Sequence, residues 1–122
     1  MMKFVLGFAA LVLPFAVSAA FVNPMEFDGS EAQKQEVIEY IKARVKADYC
    51  DGAVNMCQPT TLRMMEKQNL TAFKNLTKAK NKEILDKVIG DYCEGAVNMC
   101  TYATLDMMYK QNLKASGEQL SW

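Results

Sequence analysis

From Val37 onward, apolar side chains return every three or four residues: Val37, Ile38, Ile41, Val45 and Tyr49, with Glu36, Glu39, Lys42 and Lys46 largely elsewhere. That period places the apolar set on one face of an α-helix. Ser30-x-x-Gln33 ahead of the run reads as a capping box, so a first helix is expected over 31–50. Gly52 follows, where a left-handed residue commonly closes a helix. Pro59 then opens a second helix, expected over 59–75, because a proline in the first turn gives up no intrahelical bond. Its apolar face is Leu62, Met65, Leu70, Phe73 and Leu76. Ile84, Leu85, Val88, Ile89 and Tyr92 mark a third helix closed by Gly95, and Leu105, Met108, Tyr109 and Leu113 mark a fourth. The alternation that a half-buried strand needs is absent.

The second half of this pattern repeats the first at an offset of 43 residues. Asp48–Cys57 reads DYCDGAVNMC and Asp91–Cys100 reads DYCEGAVNMC, and 18 of 26 positions match between 45–70 and 88–113. A match that dense is an internal duplication, in which each unit uses its neighbour to bury an apolar face. The expected fold is all-α: two tandem helix-loop-helix repeats packed, in an approximately twofold arrangement, into a small disulfide-stapled four-helix domain. Its segments are an N-terminal extended stretch 21–30, a hairpin 31–76, a hairpin 77–116 and a tail 117–122. Lys74, Lys78, Lys80 and Lys82 lie in or beside the join between hairpins, and we read them as a solvated linker.

Residues 1–20 have a different character. Lys3 precedes an unbroken apolar run from Phe4 to Val17, and Ser18, Ala19 and Ala20 follow. A positive start, a greasy middle and small residues at the exit are the requirements of a cleaved secretory signal. The run, with Pro14 inside it, falls short of the roughly 20 residues of a spanning helix. Export to the periplasm or the extracellular space is therefore expected, with no stable membrane span once the signal is cut. Of two Asn-x-Thr triplets, Asn69-Leu70-Thr71 and Asn75-Leu76-Thr77, either is a glycan acceptor only in a glycosylating host.

Export changes the meaning of the cysteines. An even set at repeated spacing, Cys50, Cys57, Cys93 and Cys100, implies disulfides in an oxidising compartment. Local bonds Cys50–Cys57 and Cys93–Cys100 fit helices that end at Gly52 and Gly95. If the helices run on instead, residues seven apart lie roughly 10 Å apart along one helix, too far for a bond within it. The bonds then cross between copies, Cys50 to Cys100 and Cys57 to Cys93. The crossed plan resembles the twin-cysteine helical hairpins of the mitochondrial intermembrane space, in cysteine pattern only, although those carry nine intervening residues as a rule. Chain entropy gives roughly 2.5 kcal/mol for a short loop and roughly 4 kcal/mol for a long one, which decides neither. We expect the local pairing, with the crossed one open.

Charge and composition narrow the chemistry further. The 122 residues carry 14 basic and 14 acidic side chains, which removes the electrostatic basis for nucleic-acid binding. The chain has no histidine, which excludes Ser-His-Asp and Cys-His nucleophiles and imidazole proton transfer. An enzyme would have to use carboxylates such as Asp48 and Asp91, which sit near helix C-termini, where the dipole mildly disfavours them. We assign no catalytic residue, no cofactor and no metal, and expect a binding module for a protein or peptide. Candidate contacts are the repeated Asn55 and Asn98 and the repeated Met64 and Met107. The alternative is a Cu(I)-binding protein drawing on Met56, Met64, Met65, Met99, Met107 and Met108, since soft sulfur suits that ion. Methionine also fills irregular gaps in helical cores.

Overall fold

A computed structural model describes residues 20–52, 55–95 and 98–122. The expected secretory signal lies outside the described residues except for Ala20. A 3-10 turn, Pro24–Glu26, precedes four helices: α1 (Glu31–Tyr49), α2 (Pro59–Leu76), α3 (Lys82–Cys93) and α4 (Tyr102–Ser116). No strand occurs among the described residues. No described helix is long and apolar enough to cross a membrane.

The helix starts follow from local chemistry. Ser30 Oγ accepts from the Gln33 amide at 3.1 Å, as a capping box requires. The return bond differs: Gln33 Oε1 accepts from the Asp28 amide, while Ser30 N donates to Asp28 Oδ1 at 2.8 Å. Gly29, at φ 78°, makes this tight entry. Pro59 opens α2 as expected, Asn81 caps α3 by accepting from Ile84 N, and Thr101 caps α4 by accepting from Thr104 N.

The helix ends correct one expectation. Gly52 and Gly95 are not left-handed; Gly29 alone among the described glycines has positive φ. What they supply is room. A Cβ on Gly52 would sit 3.2 Å from the Asp48 carbonyl oxygen, and one on Gly95 would sit 2.9 Å from that of Asp91. The chain folds back over the last helical turn there, and Met56 N donates to Tyr49 O at 3.0 Å. That reversal brings the cysteines together. The bonds are local, Cys50–Cys57 and Cys93–Cys100, each with 4.6 Å between Cα atoms, and no free cysteine is left. The crossed pairing is thereby excluded.

In space the helices run α1, α2, α4, α3: α1 packs on α2, α3 on α4, and α2 joins α4. One core spans all four. Val37, Ile41 and Val45 come from α1, Phe73 and Leu76 from α2, Leu85, Val88 and Ile89 from α3, and Tyr102, Leu105 and Tyr109 from α4. The N-terminal segment enters it too. Val22 is buried, and Phe21 stacks on Tyr102 at 5.4 Å between ring centroids and meets Tyr40 edge-on at 5.6 Å. Phe73 packs edge-on against Tyr102 at 4.8 Å and against Phe27 at 5.0 Å. Such offset and edge-on geometries suit the ring quadrupoles.

The join between α2 and α4 is staggered, which overturns the expected twofold arrangement. Asn69, in the second half of α2, accepts from the amide of Ala103, in the first turn of α4, at 2.9 Å. Asn75 likewise donates to Asp106 at 3.3 Å. A twofold axis would require the matching contact between Asn112 and Thr60. Both are exposed, and Asn112 only donates back to Met108 O within its own helix. The C-terminal half of α2 therefore lies on the N-terminal half of α4, and the C-terminal half of α4 is exposed.

Candidate functional site

The stagger creates a groove. Along α2, Asn69, Ala72, Phe73 and Leu76 turn into the core, so Met64, Lys67, Gln68, Thr71 and Asn75 form one bank. Along α4, Tyr102, Leu105 and Tyr109 are buried, and Ala103, Asp106, Met107 and Lys110 form the other. The void is about 620 Å³, a size within the range of small-ligand and peptide sites. Met64 and Met107 are 54% and 51% exposed, so both thioethers face solvent instead of filling the core. Two of the expected contact residues thus lie in one place.

Polar groups fix the groove floor. Asp106, 9% exposed, accepts from Asn75 Nδ2 at 3.3 Å and pairs with Lys110 Nζ at 3.1 Å. Asn69 anchors the two helices by accepting from Ala103 N and donating to Met65 O. In the folded protein its amide nitrogen is therefore buried and already engaged. Lys67 is in none of the ion pairs found among the described residues, so the rim is positive on the α2 side. Neither Asp106 nor Asn75 is a contact residue in the sequence reading, where Asn75 figures only in an Asn-x-Thr triplet. The signal was a mismatch: Asp106 stands where the first copy has Arg63.

The repeated asparagines do not share a site. Asn98 accepts from Arg44 Nη1 at 3.0 Å and lines a second cleft of about 310 Å³ with Arg44, Asp48, Met65, Asn69 and Met99. Asn55 is exposed on the other cysteine loop. Arg44 Nη2 also meets Asp48 at 3.6 Å, and Arg44 Nε is buried without a partner among the described residues. Asp91 has the same kind of cation one turn before it, Lys87 at 3.6 Å. These pairs account for aspartates at helix C-termini, since each local cation offsets the unfavourable dipole.

The methionines of the copper reading are dispersed. Met64 and Met107 line the α2–α4 groove, Met65 and Met99 line the Arg44 cleft, Met56 is exposed, and Met108 packs against the core. All four cysteines are in disulfides, so no thiolate joins them. Among the described residues, no cluster of three or more His, Cys, Asp or Glu side chains could hold a metal ion. Elsewhere, Arg63 holds the Glu66 carboxylate with two bonds of 2.8 Å, which lowers the acid's pKa.

The chain is a small four-helix protein with two disulfides, cross-links that suggest an oxidising compartment. Comparison with family models, with curated proteins and with solved structures gives no match to it.

Proposed function

We propose that this protein is an exported, non-enzymatic binding module whose α2–α4 groove receives an amphipathic helical peptide with acidic flanks. One observation carries the reading: two thioethers, Met64 and Met107, stand half-exposed on opposite banks of one groove beside Lys67 and Lys110. Flexible, polarizable methionines adapt to varied apolar partners, and Lys67, with Lys110 beside its Asp106 partner, favours an acidic segment. In this reading, the two hairpins are copies of one unit, and the second copy donates Met107 and Lys110 where the first donates Met64 and Lys67. Cleavage after Ala19 or Ala20 frees Phe21 and Val22 to enter the core.

A fluorescein-labelled amphipathic helix with a Leu/Met face and Glu flanks is the test ligand. Saturable binding is expected, weakened at least tenfold by M64A/M107A and by K67E/K110E. Binding that neither double variant changes would refute the reading. Retention of the Cu(I) alternative requires that the oxidised protein bind Cu(I) more tightly than its denatured form and that M64A/M107A abolish the difference.

A further inference from the structure

A different cleft, between α1 and α2, has a larger lobe that shares no lining residue with the α2–α4 groove. Val37 and Phe73, each 2% exposed, form its floor, and Phe27, Ile38 and Leu70 form its walls. Ile38 is 39% exposed at the mouth. The void is about 340 Å³, near the lower end of ligand pockets. Ile38 and Leu70 also line an adjoining lobe of about 180 Å³ with Ile41. The two lobes make one elongated apolar channel along the helix pair.

Charge distinguishes its two ends. The larger lobe is lined by Lys34 and Lys74 and by no acid. Lys34 shares a 3.0 Å contact with the outlying Glu31, and Lys74 is in none of the ion pairs found among the described residues. At the smaller lobe Lys42 and Lys67 face Glu66, whose carboxylate Arg63 already holds. Lysines line both lobes of the channel, and only the larger one has no acid in its lining.

We infer that this cleft binds a single-chain anionic amphiphile, with its alkyl chain along Val37, Ile38, Leu70 and Phe73 and its carboxylate between Lys34 and Lys74. Alkyl burial supplies the attraction, and the two lysines set the direction of entry. Their exposure makes the charged contribution sensitive to salt.

Decanoate titrated into the isotope-labelled, disulfide-bonded protein tests this by amide chemical shifts. Saturable shifts are expected at Val37, Ile38, Leu70 and Phe73, with affinity at least tenfold greater than for decanol. K34E/K74E should remove that preference for the acid, whereas M64A/M107A should leave the affinity within twofold. Ile38→Trp, which fills the mouth without emptying the core, should abolish binding while the helical circular dichroism is retained. Equal binding of decanol, shifts confined to the α2–α4 groove, or indifference to K34E/K74E would overturn the inference. Association with anionic phosphatidylglycerol vesicles but not with decanoate would overturn it in favour of a membrane surface.

Discussion

The hydroxyl of Tyr102 donates to the carbonyl of Val22 at 2.8 Å and accepts from the amide of the same residue at 3.1 Å. One side chain at the start of α4 thereby satisfies both backbone groups of a buried residue 80 positions earlier. The N-terminal segment is held in the core by this clasp and by the stacking of Phe21 on the same ring.

Tyr102→Phe keeps the ring but leaves a buried N–H and a buried C=O without partners. An unsatisfied buried group costs about 1–3 kcal/mol, so a loss of about 3 kcal/mol is expected in urea unfolding, with faster amide exchange at Val22. A loss below about 0.5 kcal/mol would mean that the segment finds other partners.

Alkaline pH tests the same residue. Burial raises the Tyr102 pKa, and the Val22 bond only partly opposes this. Burial raises that of Tyr40 as well. The folded state keeps a proton that the unfolded chain loses near the ordinary value of 10.0. This contribution is fully present below that pH and falls above it, by up to about 1.4 kcal/mol per pH unit for Tyr102. Urea midpoints should decline steeply above about pH 10, and less steeply in Tyr102→Phe.

Asn69 and Asn112 occupy matching places in the two halves but have different work. Asn69→Ala breaks the bond that joins α4 to α2 and should cost roughly 2 kcal/mol. Asn112→Ala, on the exposed end of α4, should stay within about 0.5 kcal/mol of the parent. Equal costs in thermal melts would argue against the staggered join.

The disulfides should also differ. Cys57 is exposed, while Cys100 is 7% exposed and its carbonyl accepts from the Tyr40 hydroxyl. Thiolate attack needs access to sulfur, so stepwise reduction with alkylation and mass mapping should trap Cys50 and Cys57 first. Tyr40→Phe should narrow the gap. Prior opening of Cys93–Cys100 would contradict this assignment.

Helix positions were legible in the sequence because their signals are local. Ser30, Pro59 and the apolar period around Val37 and Ile41 act within a few residues, and the helices begin where these place them. Tyr102 was not legible as a core residue, since its burial depends on Val22, Phe21 and Phe73 meeting it across the chain. Leu113 shows the reverse error. It continues the apolar face of α4 yet is 41% exposed, because the stagger leaves that end of the helix beside α3 but beyond α2. Gly52 and Gly95 stand at helix ends as expected, but the reason is close carbonyl approach, prohibitive for a Cβ at Gly95 and tight at Gly52, and not a positive φ. Of the candidate site, the repeated methionines Met64 and Met107 were legible, whereas Asn75 and Asp106 depend on the relative shift of two helices.

That shift bears on how the two halves meet. A contact made by two unlike surfaces does not close on itself and in principle admits further units at either end, as in a fibre. Here the side chains at the matching positions differ. Ser116 and Gln119 stand where the first half has Phe73 and Leu76, and Pro59 and Glu66 stand where the second has Tyr102 and Tyr109. The two halves therefore present unlike side chains to one another, and the join of α2 to α4 is made between two different surfaces.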